Sequence, residues 1–213
     1  MASIMDRLTQ ERQTIAADWR EAVYYEQAEE WMEVFWGEGS PFPPLFDQLD
    51  LTAVVELACG RGRHAAYILP RVGCLTLVDV NQSNIDACRQ RFADNDGVRF
   101  VVNAGHDLPG ILDGSQTSLF SYDAMVHFEL LDLLSYLREI QRVLRPGGLA
   151  LLHLSNNMEN PEGNYQQNRH WRNFGSLKFA RHFAVRLGLR IKAAQIIDWS
   201  GAPELDGLLL IEA

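Results

Sequence analysis

The run Val54-Val55-Glu56-Leu57-Ala58-Cys59-Gly60-Arg61-Gly62-Arg63-His64-Ala65 constrains this chain more than any other stretch. A short apolar segment carrying one acid runs into two glycines separated by a single residue, and a helix-like pattern follows. A strand that turns at once into a helix needs backbone dihedrals that glycine adopts without strain, and the missing side chain lets a ligand touch the backbone. The helix beyond the turn aims unpaired N–H groups at whatever lies above it. The stretch therefore reads as a nucleotide-type binding turn after the first strand of an α/β domain.

The rest of the chain alternates as such a domain requires. Apolar periodicity predicts strands at 54–57, 75–80, 98–102, 117–122, 149–154, 189–198 and 205–211. Helices are expected from about 62 to a break at Pro70, from the start signal Ser83-x-x-Asp86 to Phe92, and over 130–144 and 176–187. The connection between the last two strands is short, with Gly201-Ala202-Pro203 turning between them, so they should pair antiparallel, whereas a dehydrogenase sheet would stay parallel. The expected fold is α/β: a doubly wound seven-stranded sheet, mostly parallel with an antiparallel last strand. With 213 residues, 47% of them hydrophobic, one core is the natural count. The single domain 1–213 divides into a helical cap at 4–36, a ligand-binding core at 51–155, a polar asparagine-rich loop at 156–175, and a C-terminal helix and hairpin at 176–213. In the cap, Ile15, Trp19, Val23, Ala28, Trp31, Met32 and Phe35 recur at helical steps, until Gly37 and Pro41 break the pattern. Its aromatics pack on the domain or form a lid over a bound cation or apolar substrate.

Charge and cysteines narrow the partners. A formal charge of −9 is unsuited to gripping a polyanion, so nucleic acid is not expected as a substrate. No window is long and apolar enough to cross a membrane, and no basic-then-apolar leader opens the chain. Cys59, Cys74 and Cys88 are odd in number and lack metal-type spacing, which predicts a reduced, cytoplasmic protein. A monomer or homodimer is the expected assembly.

Two ligand classes could use the glycine turn. Gly60-x-Gly62-x-x-Ala65 fits the loose dinucleotide fingerprint. Glu56 argues against it, because a carboxylate there would repel a pyrophosphate and would suit a cationic ligand tail. Glu56-x-Ala58-x-Gly60-x-Gly62 resembles the first motif of class I S-adenosylmethionine-dependent methyltransferases. Arg142-Val143-Leu144-Arg145-Pro146-Gly147-Gly148 resembles the R-V-L-x-P-G-G signature of that family, and Asn103 to Leu108-Pro109 resembles its third motif. The resemblance covers about 54–156 by motif and the whole chain by layout. It implies S-adenosylmethionine as cofactor, with the glycine turn under the methionine part and Glu56 holding the amino group, often through water. The cofactor contacts it implies are Glu56, Ala58, Gly60, Gly62, Asp79, Val80, Asn103, Ala104, Tyr122 and Trp36. Asp79 ends the second strand, where one carboxylate can accept both ribose hydroxyls. Two departures stand out. Ala104 replaces the acid that usually accepts from the adenine amino group, so Asn103, Asp107 or the backbone must substitute. Arg63-His64 replaces the commoner small residues after the second glycine.

Methyl transfer from a sulfonium depends mainly on alignment, and a hydroxyl acceptor adds the need for a base. His127, just after strand four, is the leading candidate, with Asp123 as an orienting partner if the intervening turn is helical. His127 could equally prop the site. His153 reads as a base or a hydrogen-bonded core residue, and His170 is a third candidate. Asn156, Tyr24 and Trp171 are the expected acceptor contacts. The N/D-P-P-Y tetrad of nucleic-acid amino methylation is absent; Tyr122-Asp123-Ala124-Met125 stands in its place. These features point to a small-molecule acceptor, with O-methylation of a hydroxyl as the expected reaction. No metal is expected, since one firm acid is too few for a hard cation. The rival readings are a dinucleotide-binding oxidoreductase and an S-adenosylmethionine-binding protein without transfer activity.

Overall fold

The cap is not one continuous helix. In the computed structural model, which describes residues 4–20 and 22–213, α1 (Ile4–Arg20) is followed by two short helices, α2 (Tyr24–Gln27) and α3 (Met32–Trp36). A 3-10 turn, Ala28–Trp31, separates them. The uniform apolar stripe expected of the cap breaks with it: Ala28 and Phe35 are buried, whereas Val23 and Trp31 are 64% and 41% exposed. Next, α4 (Pro43–Phe46) begins on a proline, whose missing N–H has no helical partner to lose.

The alternation then follows the expected order. The strands are β1 (Ala53–Leu57), β2 (Cys74–Asp79), β3 (Val98–Val102), β4 (Gln116–Ser121), β5 (Leu144–Ser155), β6 (Arg190–Trp199) and β7 (Ala202–Glu212). Between them lie α5 (Arg63–Ile68), α6 (Gln82–Arg91), α7 (Leu130–Val143) and α8 (Leu177–Arg186). The sheet order is β3-β2-β1-β4-β5-β7-β6, parallel through β5, with β7 antiparallel to both β5 and β6. Because β1 sits between β2 and β4, the winding reverses there, and a crevice opens beyond the carboxyl ends of these strands.

Two local expectations need correction. Helix α6 starts one residue before Ser83, after Asn81, whose side-chain amide donates to the Ala16 carbonyl instead of capping the helix. Strand five, expected over 149–154, already begins at Leu144, with Arg145-Pro146-Gly147-Gly148 as an excursion within it: Gly147 takes φ +80° and donates to the Ala213 carbonyl.

Alternation along the strands sends neighbouring residues to opposite faces, so each strand feeds two cores. Leu119, Leu152 and Leu209 meet Leu137 and Ile140 of α7 and Ala180 and Ala184 of α8 on one side. Phe120, Leu151 and Leu210 meet Phe35, Phe42, Phe46, Ile68 and Ile85 on the other. Each fully buried side chain of this size contributes roughly 1.5–3 kcal/mol, and the two layers hold the strand ends rigid beneath the crevice.

Candidate active site

β1 passes the chain to α5 through Ala58-Cys59-Gly60-Arg61-Gly62. Ala58, Gly60 and Gly62 all take positive φ, at 57°, 53° and 77°. A Cβ on Gly60 would stand 2.6 Å from the Tyr25 ring, and one on Gly62 would stand 2.6 Å from Phe92, so glycine is required at both positions. Ala58 holds the left-handed conformation with its Cβ in place, at a cost of roughly 1–2 kcal/mol. Strain of this kind tends to collect at functional turns.

Asp79 ties this turn to the end of β2. Its Oδ2 accepts the Gly60 N–H at 2.9 Å, and its Oδ1 accepts the Asn81 N–H at 2.8 Å and the Asn84 side-chain amide at 3.1 Å. Burial raises its pKa against the pull of those donors. The Asn84 amide also donates to the Tyr25 hydroxyl at 3.0 Å, which sets the Tyr25 ring over Gly60. Glu56 lies one layer lower. It is buried behind the wall formed by Leu57 to Arg61, and its Oε2 has no hydrogen-bond partner. Burial pushes its pKa up to about 8, with Arg63 opposing. An orphaned carboxylate oxygen beneath the glycine turn has the chemistry to receive a cationic amino group, directly or through water, and so fits the tail of S-adenosylmethionine.

The cavity lies between the cap and the carboxyl ends of β1, β2 and β4. Arg12, Ile15, Ala16, Trp19, Tyr24 and Tyr25 form its cap side. Ala58, Gly60, Asp79, Val80, Asn103, Tyr122, Asp123, His127 and Tyr136 are among the residues on the sheet side. Three expected cofactor contacts besides Glu56 are not on this wall. Gly62 faces Phe92 and Cys88. Trp36 is a core residue instead: it donates from Nε1 to His64 Nδ1 at 3.0 Å and stacks on Tyr67. Ala104 is exposed, and its N–H is taken by Asp107 Oδ1 at 2.8 Å, so Asp107 closes its own turn and is not on the wall either. Asn103 is on the wall, but its amide nitrogen already donates to the Asp107 carbonyl and the Tyr136 hydroxyl, both at 2.8 Å.

At the end of β4, Asp123 takes φ +58°. Its Oδ2 accepts the Tyr24 hydroxyl and, at 3.4 Å, the Arg63 guanidinium. Arg63 also donates to the Ala28 carbonyl and lies over the Phe35 ring, so this residue after the glycine turn fastens the cap to the sheet. Behind Asp123, its backbone N–H donates to His153 Nδ1 at 3.1 Å, and His153 Nε2 lies 3.0 Å from Asp206 Oδ2. Arg172 grips both oxygens of Asp206, at 2.9 and 2.6 Å. Burial would raise the Asp206 pKa, but His153 and Arg172 hold it down, to about 2. His153 is fully buried and off the cavity wall, with Nδ1 taken by the Asp123 N–H and Nε2 close to Asp206 but without a well-formed hydrogen bond, so it sits in the core and does not face the cavity.

His127 is held differently from expectation. The turn containing it is a 3-10 turn, Met125–His127, and Asp123 makes no bond to it because its carboxylate is used by Tyr24 and Arg63. The orienting partner is the Trp171 carbonyl, 2.6 Å from His127 Nδ1. A carbonyl only accepts, so Nδ1 carries the proton and the Nε2 lone pair is left on the cavity side. Burial and, secondarily, Arg172 lower its pKa to about 4, which keeps the ring neutral near pH 7. His170 and Trp171 both take positive φ, and that reversal aims the Trp171 carbonyl inward. His170 is exposed and off the wall. Trp171 also stays off the wall, packing edge-on against Trp19 at 5.7 Å. Asn156 does not reach the cavity: its side chain accepts the Leu177 N–H and donates to the Glu204 carbonyl, which anchors the start of α8. Tyr24 is the one expected acceptor contact that lines the cavity.

Arg12, Tyr25 and Asp132 were not anticipated on the wall. Arg12 donates from Nε to Asp132 at 2.7 Å, across 120 residues. Tyr25 had a signal in its adjacency to Tyr24; Arg12, one of three arginines on α1, had none. Among the described residues, no cluster of three His, Cys, Asp or Glu side chains could hold a metal, and no helix is long and apolar enough to cross a membrane.

Comparison with known proteins bears on what this cavity is for. A family described as a methyltransferase domain matches residues 54–148. Methyltransferase GfsG of Streptomyces halstedii is 27% identical over 152 residues, covering 59% of this chain and 54% of the relative. A fatty-acid O-methyltransferase of Mycolicibacterium smegmatis is 33% identical over 100 residues, covering 46% of this chain and 35% of the relative. The chain thus spans about half the length of these curated relatives, or less. Geranyl diphosphate C-methyltransferase from Streptomyces coelicolor, solved with S-adenosyl-L-homocysteine, has the same fold: TM-score 0.72 at 17% identity, covering 95% of this chain and 97% of that one.

Proposed function

Since the chain belongs to the class I S-adenosylmethionine-dependent methyltransferases, we propose that it methylates a hydroxyl on a small acceptor with an apolar body, using His127 as the base. The observation that carries this reading is the His127–Trp171 hydrogen bond, which fixes one tautomer and leaves a lone pair on the cavity wall. Trp19, Tyr24, Tyr25 and Phe128 line the same space, which suits an apolar acceptor.

When bound, the cofactor supplies a methyl group already activated on a sulfonium. Ala58 and Gly60 would hold its methionine end, Glu56 would receive the amino group and Asp79 the ribose, and Val80 and Asn103 would lie beside the base. The aromatic faces of Trp19 and Tyr24 favour a cation nearby. As an acceptor oxygen gains a methyl group it becomes a strongly acidic oxonium, so even a weak neutral imidazole can take its proton. His127, on the cavity wall with Nδ1 held by the Trp171 carbonyl, would take that proton at Nε2.

A second reading has support of its own. Arg61 lines the cavity with only a 3.8 Å approach to the exposed Glu26, so it could pair with a carboxylate acceptor, which needs no base; the Mycolicibacterium relative is named for fatty-acid O-methylation. Assaying S-adenosylhomocysteine formation across alcohols, phenols and fatty acids, with wild type and His127→Ala, separates the two. Alcohol turnover that collapses in the variant supports the base; carboxylate turnover that survives supports the second reading. No product with any acceptor, despite tight S-adenosylhomocysteine binding, would leave a binding protein.

A further inference from the structure

We propose that the face formed by α8 and the edge strand β6 docks this chain on an anionic lipid surface. The assignment is independent of the methyl-transfer chemistry and rests on charge, exposure and shape.

Between residues 163 and 197 there is no Asp or Glu, yet seven of the chain's nineteen Lys and Arg residues lie there, in a protein of net charge −9. The fold sets three of them, Lys178, Arg181 and Arg186, on the outer side of α8. α8 turns Leu177, Ala180 and Ala184 to the sheet, which leaves Lys178, Phe179, Arg181, His182, Val185 and Arg186 facing out. β6 pairs only with β7, so it forms the sheet margin beside this helix and adds Ile191 to this face, while Arg190 and Lys192 turn to the other side of the sheet. Arg190 and Lys192 share one acid, Glu212. Lys178, Arg181 and Arg186 have no ion-pair partner among the described residues.

Apolar side chains are interleaved with these cations. Phe179 is 38% exposed, Val185 57% and Ile196 44%. Lys178, Arg181 and His182 rim a shallow groove of about 320 Å³ whose remaining walls are Val185 and Ile191. Cations around exposed aliphatic and aromatic groups match the head-group boundary of a bilayer, where charge meets phosphate and carbon sinks to the acyl level. A protein partner would call for a contiguous apolar centre with a polar rim, and here the apolar groups are dispersed. Single-stranded nucleic acid would call for several stacking rings, and the face exposes one.

Sedimentation of the full chain with phosphatidylserine–phosphatidylcholine vesicles tests the assignment, with pure phosphatidylcholine vesicles as the control. Binding should appear only with the anionic vesicles and weaken as salt rises. Combined Lys178→Gln, Arg181→Gln and Arg186→Gln should reduce it about a hundredfold, at roughly fivefold per cation. Phe179→Ser with Val185→Ser should weaken it further without changing its salt dependence. All variants should keep wild-type S-adenosylhomocysteine affinity, which shows that they are folded and separates this test from the methyltransferase reading. No vesicle binding, equal binding to neutral vesicles, or a triple variant that binds like wild type would overturn it. Salt-sensitive binding to polyglutamate without vesicle binding would overturn it in favour of an acidic protein.

Discussion

The sheet and α1, the first helix of the cap, form two sides of one cavity but are held by opposite means. The strands bury apolar side chains on both faces, in two continuous layers. α1 buries only Leu8 and Ala16. It is fastened by polar contacts: Arg12 to Asp132, Tyr165 and Gln166 to Asp18, and the Asn81 amide to the Ala16 carbonyl. Tyr24 adds the same kind of tie to Asp123. A typical hydrogen bond contributes about 0.5–1.5 kcal/mol net, because water replaces the partner on opening. A buried leucine has no such substitute. α1 is therefore expected to open at lower cost than the strands beneath it.

The sharpest test of the division concerns chemistry. His127 belongs to the sheet side but takes its orientation from the Trp171 carbonyl. His127→Ala should lower turnover of a hydroxyl acceptor by about 10²–10⁴-fold while leaving S-adenosylhomocysteine affinity unchanged by calorimetry. Retained turnover would remove it from the reaction.

In the apolar half, Leu137→Ala should cost about 2–5 kcal/mol of global stability in urea unfolding, because the layer around it cannot collapse into the space. A loss confined to the cap would contradict the picture.

Glu56 probes the floor without touching the cap. Its folded pKa, about 8, stands above its ordinary value, so the folded chain favours the protonated acid. Its contribution to stability is full below the ordinary carboxylate range and is lost as pH rises through about 8. A ligand ammonium needs the opposite form. S-adenosylhomocysteine affinity should therefore rise about tenfold per pH unit up to about pH 8 and then level. Glu56→Gln should flatten both profiles; an unaltered binding profile would separate Glu56 from the ligand.

The smallest effect belongs to the latch. Tyr165→Phe removes the bond to Asp18 and should cost about 1 kcal/mol. It should be seen as faster hydrogen exchange in α1 with little change in the global transition. Equal loss in both regions would mean that the cap and sheet unfold as one unit.

What the residues determined by themselves was local. Strand and helix periods, the paired glycines at 60 and 62, and the two-strand ending at Gly201 depend on backbone dihedrals and on alternation within a few residues, so they were legible in order. Asp79 and Val80 were legible for the same reason, since the end of β2 sits beside the glycine turn in any sheet wound this way. The contacts of the site were not. His127 is oriented by a carbonyl 44 residues away, Asp123 is claimed by a tyrosine 99 residues away, and Asn156 is drawn to α8 and the Glu204 carbonyl. Each of these polar groups had several partners of adequate chemistry. Which one it took depended on how the cap, the loop after β5 and the strand ends pack together, because a hydrogen bond forms only within a few tenths of an ångström and only tertiary structure sets that distance.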